Sequence, residues 1–99
     1  KFDSKLEAAR YKQLKLMEKA GQLTNLELQP KFPCEVSGKK ICTYISDFRY
    51  TLKNGKEVVE DVKGVETAVF KLKKKLVEAL YPDVTIEIVK NPRLFVIPD

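Results

Sequence analysis

Histidine is absent from this sequence, and cysteine occurs only twice, at Cys34 and Cys42. Without an imidazole there is no Ser-His-Asp triad, no HExxH metalloprotease motif and no HNH-type nuclease. Two thiols without a histidine also fall short of a four-ligand zinc site in one chain. Cys34 and Cys42 flank the Ser37-Gly38 turn and can face each other across a hairpin; in a reducing cytosol they read as two half-buried thiols. No apolar run is long enough to span a bilayer and no signal peptide is visible, so a soluble, cytoplasmic chain without a membrane partner is expected. The sequence begins at Lys1 rather than Met, and residues preceding it are expected in the full-length protein.

Ninety-nine residues carry apolar material for one core, hence one domain over residues 1–99. Hydrophobic residues make up 43% and charged residues 33%, too apolar a mixture for intrinsic disorder. Lys and Arg number 19 against 14 Asp and Glu, a net charge of +5. That excess suits a polyanionic partner such as DNA, since it supplies steering and salt-sensitive affinity, although it supplies no chemistry.

Ser4 and Glu7 stand at capping-box spacing, and helix formers run from Lys5 to about Lys19, ending near Gly21. At roughly 100° per residue, Leu6, Ala9, Leu14, Leu16, Met17 and Ala20 share an apolar stripe, Lys12, Lys15 and Lys19 lie opposite, and Glu7 falls at the stripe's edge. Three extended segments follow, Leu26 to Val36, Lys40 to Leu52 and Lys56 to Lys63, separated by Ser37-Gly38 and Asn54-Gly55. Pro30 and Pro33 mark the first as an edge or broken strand. A three-stranded antiparallel meander is the simplest arrangement. A second helix is expected from about Thr67 to Tyr81, stopped by Pro82, then a strand from Val84 to Val89 and a short apolar tail, Leu94 to Ile97. A helix joining the third strand to the fourth permits a crossover, so the class is α/β or α+β with a mixed sheet flanked by helices.

Asp47 sits among aromatic and β-branched residues in Tyr44-Ile45-Ser46-Asp47-Phe48-Arg49-Tyr50, where propensity disfavours an acid. In Val58 to Gly64, period-two alternation puts Asp61 and Lys63 on one face and Glu60 on the other. The turn between these segments decides whether the acids meet. A two-residue Asn54-Gly55 turn would set Asp47 opposite Val62; a three-residue loop with Gly55 left-handed in a bulge sets Asp47 opposite Asp61 and Ile45 opposite Lys63. The bulged register is expected. Facing carboxylates repel unless a cation compensates them, and an all-oxygen site suits Mg²⁺ or Mn²⁺, with Lys63 placed to act on the attacking water and the transition-state charge. Taken singly, each acid reads more simply as half of an ion pair on an exposed sheet face; the joint pattern with Glu7 and the bulge favours a site. In the second helix Lys71, Lys74, Lys75 and Glu78 cluster opposite a wide apolar arc. Lys73 alone lies inside that arc, either snorkelling outward or reaching a phosphate.

An acid in the first helix, then Asp47, then Asp61-Val62-Lys63, then a helix with an inward lysine, resembles the PD-(D/E)XK nuclease superfamily. More closely, Phe2-Asp3-Ser4-Lys5-Leu6-Glu7, Gln29-Pro30, Tyr44-Ile45-Ser46-Asp47-Phe48, Glu60-Asp61-Val62-Lys63-Gly64 and Phe70-Lys71-Leu72-Lys73 are similar to its small phage and prophage nucleases, along essentially the whole chain. The resemblance implies an αβββαβ, restriction-endonuclease-like core. It implies a Mg²⁺- or Mn²⁺-dependent DNA endonuclease, with Asp47 and Asp61 as metal ligands, Glu7 as a further ligand or water-positioning acid and Lys63 as the catalytic lysine. Gln29, Glu60 and Lys73 take supporting positions. Ser46 stands where the literal motif has proline, and Glu60 beside Asp61 offers a second candidate acid, although alternation favours Asp61. A Holliday-junction resolvase working as a homodimer is one form of this activity, with Lys12, Lys15, Lys19, Lys71, Lys74 and Lys75 gripping the DNA backbone. A non-catalytic DNA-binding or assembly module of the same fold is the alternative.

Overall fold

The computed structural model describes residues 5–90. Its elements are α1 (Lys5–Lys19), β1 (Leu23–Leu28), β2 (Lys31–Val36), β3 (Lys39–Ile45), β4 (Phe48–Leu52), β5 (Glu57–Val62), α2 (Ala68–Leu80) and β6 (Ile86–Val89). The fold is mixed α+β, with a four-stranded sheet ordered β1-β4-β5-β6 and a two-stranded sheet of β2 and β3. The Ser4 side of the expected capping box and the Leu94 to Ile97 tail lie outside the described residues.

Helix α1 closes with a left-handed Gly21 at φ +78°. Gly21 N–H donates to Glu18 O at 3.1 Å and Gln22 N–H to Met17 O at 2.9 Å, the paired bonds that satisfy the last free carbonyls of a helix. The buried face of α1 is Arg10, Leu14 and Met17, spaced four and three residues apart, as one helical face requires. The expected stripe was rotated from this. Leu16 is 61% exposed, because counting only apolar residues drew the stripe's centre towards Leu16 and away from the face that Arg10 shares.

The two segments expected as single strands, Leu26 to Val36 and Lys40 to Leu52, are each broken in the middle. They form one long antiparallel hairpin whose inner half, β1 with β4, belongs to the main sheet and whose outer half, β2 with β3, projects as an arm. Leu28 pairs with Phe48 before the break and Lys31 with Ile45 after it. The pairing therefore keeps one register through the break. The arm turns at Ser37-Gly38, both with positive φ (52° and 77°), as a two-residue loop demands when it must match strand twist.

The β4–β5 turn takes the bulged form. Gly55 has φ +91°, Gly55 N–H donates to Leu52 O and Leu52 N–H to Lys56 O, each at 2.8 Å, and Phe48 pairs with Glu60. Strand β6 runs parallel to β5, reached through α2, so the sheet is mixed as the crossover implied. Thr67 caps α2, accepting a hydrogen bond from Phe70 N–H at its side chain. Two apolar clusters flank the main sheet. Leu14 and Met17 of α1 pack with Leu23, Phe48, Tyr50, Val58 and Val62. Phe70 and Val77 of α2 pack with Val59 and Ile86 and with Phe32, Cys34 and Tyr44 from the arm. Alternation along β5 thus assigns Val58, Glu60 and Val62 to the α1 side, and Val59 and Asp61 to the side shared by α2 and the arm.

Candidate active site

The hairpin break builds the site. Pro30 has no N–H to offer a ladder, and its carbonyl accepts from Ser46 N–H at 3.1 Å, while Gln29 N–H donates to Asp47 O at 2.9 Å. Gln29 holds φ 53°, a left-handed conformation uncommon for a non-glycine residue, and its side chain is exposed. Opposite it, Ser46 is fully buried and its hydroxyl donates to Glu60 O at 2.7 Å. A proline at position 46 would lose the bond from Ser46 N–H and that hydroxyl anchor together, a physical reason for serine here.

Freed from the ladder, Asp47 interacts with β5 instead. Its N–H donates to Asp61 Oδ1 at 3.1 Å, and its own Oδ2 accepts from Val62 N–H at 2.8 Å. Each acid is fixed by backbone of the other's strand, so the two carboxylates are brought together by reciprocal hydrogen bonds. Asp61 is 1% exposed, and its Oδ2 has no hydrogen-bond partner among the described residues. A buried carboxylate oxygen left unpaired is costly, and its cost shows in acidity. Burial pushes the Asp61 pKa from 3.8 up to about 6, against the opposing pull of Lys63 and of the Asp47 N–H.

The orphaned oxygen is the test of fit for a divalent cation. An all-oxygen pair, with one lone acceptor buried and uncompensated, suits a hard ion that takes one or two carboxylates and completes its shell with water and phosphate oxygens. Asp47 and Asp61 would hold it.

Lys63 lies one residue beyond β5, its N–H donating to Val89 O at 3.0 Å. Its ammonium stands 4.6 Å from the centroid of the Phe70 ring, a cation–π distance. It lines an open cleft of about 350 Å³ together with Thr43, Tyr44, Thr67, Phe70 and Lys73. Lys73, the inward lysine of α2, is half-buried and stands on this cleft.

Glu60 lies on the other face and is fully engaged. Arg10 Nε donates to its Oε1 at 2.6 Å and Arg10 Nη2 to its Oε2 at 2.9 Å, and the Tyr50 hydroxyl donates to Oε2 as well. Burial works against the Arg10 charge, but Glu60 more than offsets it and the guanidinium pKa is raised. Burial and the Glu60 charge likewise push the Tyr50 phenol up. Between the two adjacent acids, the structure leaves Asp61 as the one with a free oxygen.

Glu7 is half-buried on the first turn of α1. Among the described residues no three His, Cys, Asp or Glu side chains gather as a metal-holding group, so Glu7 is not brought into one cluster with Asp47 and Asp61. The lysines divide. Lys12, Lys15 and Lys19 border a separate groove of about 530 Å³ along α1 with Tyr11 and Leu16, and Lys15 pairs with Glu18 at 2.9 Å. Lys71 and Lys75 are exposed. Lys74 is a correction: with Glu78 it was expected on the outward side, yet both are half-buried, ion-paired at 3.0 Å, and Glu78 also accepts from Ile86 N–H. The apolar arc shifts correspondingly, since Val69 and Leu72 are 63% and 68% exposed. Cys34 and Cys42 are direct cross-strand partners in the arm and both are free thiols.

Arg10, Ser46 and Tyr50 were missed by the sequence reading. Arg10 carried a signal, its spacing of four and seven residues before Leu14 and Met17; Ser46 and Tyr50 carried none beyond their place in a strand.

The family described as "Protein of unknown function (DUF1064)" matches residues 1–95. The chain belongs to this family. No curated protein and no solved structure matches the chain. Family membership therefore brings no activity with it, and the functional reading rests on the site.

Proposed function

We propose that this chain is a Mg²⁺- or Mn²⁺-dependent deoxyribonuclease that hydrolyses phosphodiester bonds. The observation that carries the proposal is the reciprocal Asp47–Asp61 pair, with one Asp61 oxygen buried and unpartnered and Lys63 two residues further along the same segment. When bound, the divalent ion supplies Lewis acidity at a phosphate oxygen and a water acidified towards neutral pH. The chain's own groups do the rest. Asp47 and Asp61 hold the ion, their carboxylates preset by the backbone bonds from Val62 and Asp47. Lys63, poised above Phe70 at the cleft, offsets negative charge that gathers on the phosphate as the bond breaks. Asp61 must lose its proton to serve as a ligand, so cation affinity declines as pH falls through about 6.

The resemblance to small phage nucleases narrows the proposal to structure-specific cleavage in the cytoplasm of a bacterial host. A homodimer would present two such sites to one four-way junction, in recombination, repair or genome processing. The excess of basic residues supports a DNA partner. The deciding assay offers linear, single-stranded and four-way-junction DNA with Mg²⁺, Mn²⁺ or EDTA, comparing the wild type with Asp61→Asn and Lys63→Ala. Metal-dependent cleavage lost in both variants is the expected result, and cleavage confined to the junction selects the resolvase form. Equal cleavage by all three proteins removes the assignment. Binding without cleavage under every metal condition replaces it with a non-catalytic DNA-binding module.

A further inference from the structure

The cleft between β3 and the start of α2 has a charge arrangement that the carboxylate pair does not explain. Lys63 and Lys73 both line it, both are half-buried, and neither has a carboxylate within ion-pair distance among the described residues. Lys63 acts on the Asp61 charge through space rather than by contact. Among the described residues no acid lines the cleft, which also carries the hydroxyls of Thr43 and Thr67. Thr67 caps α2, whose first turn contains no acid, and Glu66 just before the cap is paired with Lys90 at 2.7 Å. Tyr44 lines the same cleft, is 4% exposed, and its buried hydroxyl has no hydrogen-bond partner among the described residues.

Two ammonium groups drawn into one concavity, with a helix N-terminus added, repel one another unless an anion joins them. A phosphodiester carries one negative charge and one lysine balances it. A phosphate monoester carries roughly −1.5 to −2 at neutral pH and offers three acceptor oxygens. Two lysines with hydroxyl donors match the monoester in charge and in hydrogen-bond count, and a volume of about 350 Å³ lies in the range of small-ligand sites.

We propose that this cleft receives the terminal phosphate monoester of a nucleic-acid strand, held by Lys73 and the neighbouring threonine hydroxyls, with the three donors of the Lys63 ammonium shared between it and the phosphate that is cut. The inference rests on the nuclease reading for its purpose, since it makes phosphorylated strand ends the substrate class, while its binding chemistry needs no metal. A phosphorylated end seated beside Asp47 and Asp61 would set how far from that end the strand is cut.

Binding is measured in EDTA by fluorescence anisotropy, using one short single-stranded oligonucleotide with a 5′-phosphate, a 3′-phosphate or hydroxyls at both ends, with inorganic phosphate as competitor. One phosphorylated form is expected to bind about tenfold more tightly than the hydroxyl form, the ratio that one charge-assisted hydrogen bond supplies. Lys73→Gln is expected to remove that preference, and Lys75→Gln, exposed on the same helix, to retain it. Equal affinity for all three ends overturns the proposal, as does a preference that survives Lys73→Gln or is lost equally in Lys75→Gln. Competition by inorganic phosphate without any preference between strand ends also overturns it, since the cleft then takes free phosphate. The preference in a protein that cleaves nothing keeps this site and removes the nuclease reading; metal-dependent cleavage without the preference does the reverse.

Discussion

Glu60 and Asp61 are neighbours in sequence and almost equally buried, at 1% exposure each, yet strand alternation sends them to opposite faces of one sheet and to opposite fates. On the α1 side, Glu60 is closed in by Arg10 and Tyr50, its charge matched and both oxygens used. On the other side, Asp61 accepts one backbone hydrogen bond and keeps a second oxygen with none. The same chemical group is structural cement in one place and a destabilising, unsatisfied feature in the other. Burial does not separate the two; completeness of partnership does.

The contrast can be broken from the Glu60 side first. Arg10→Met leaves a buried carboxylate held by the Tyr50 hydroxyl but with no opposite charge, and loss of one partner of a buried pair costs about 3–5 kcal/mol. Urea denaturation should show a fall of that order, and a fall below about 1 kcal/mol, the range of exposed pairs, would mean that Glu60 finds solvent and that the two faces are not different. From the Asp61 side the expected sign is opposite. Because its folded pKa of about 6 exceeds the ordinary 3.8, the folded state binds the proton more tightly, and stability falls as pH rises from about 4 through about 6. Asp61→Asn keeps an acceptor for the Asp47 N–H and removes the buried charge. It is expected to raise stability by about 1–3 kcal/mol at pH 8 in EDTA, the range for relieving an uncompensated buried group, with the gain disappearing near pH 4. A loss of stability at pH 8 would show that Asp61 is already balanced.

Smaller effects sharpen the picture. Ser46→Ala removes the hydroxyl bond to the Glu60 carbonyl and should cost about 1–2 kcal/mol by thermal or urea unfolding. If that bond positions Asp47, the variant should also weaken Mn²⁺ binding measured by calorimetry, which a purely local packing defect would leave alone. Gly55→Ala meets no atom within 4 Å, so its cost is that of φ +91° alone, about 1 kcal/mol. Unchanged stability would mean that the turn relaxes to another form, and with it the register that places Asp61 opposite Asp47.

Much of this arrangement was legible in the chain. Gly55 announced a left-handed position, and the bulge it permits fixed which residue faces which. Alternation separated Glu60 from Asp61, and the helix between β5 and β6 permitted the crossover that makes the sheet mixed. What escaped the sequence did so for physical reasons. Alternation continues undisturbed through Gln29-Pro30 and Ser46-Asp47, so nothing but Pro30 hinted that both strands break there. A positive charge on a helix is ordinarily assigned to solvent, so Arg10 was left out of a stripe drawn from apolar residues alone, and the α1 stripe was rotated away from it. Lys74 and Glu78 were misplaced by the same habit, since i,i+4 partners satisfy each other and can be carried inward as a pair. The unpartnered state of the Asp61 oxygen and the placing of Lys63 and Lys73 on one cleft depend on residues distant in sequence, from β3, the end of β5 and α2, which no local pattern encodes.

The hairpin break has one more implication. Leu28 pairs with Phe48 and Lys31 with Ile45, so the two strands leave the sheet in step. An arm joined in step can be lengthened or trimmed by two residues on each strand while every inward side chain keeps its face and Asp47 stays where it is. Its root and its reach are separable parts: the Asp47–Asp61 pair belongs to the root, whereas one wall of the lysine-lined cleft belongs to the arm. Arm length is thus a modular dial, and relatives with different arms would be expected to keep the Asp47–Asp61 pair while differing in the shape of the cleft beside it.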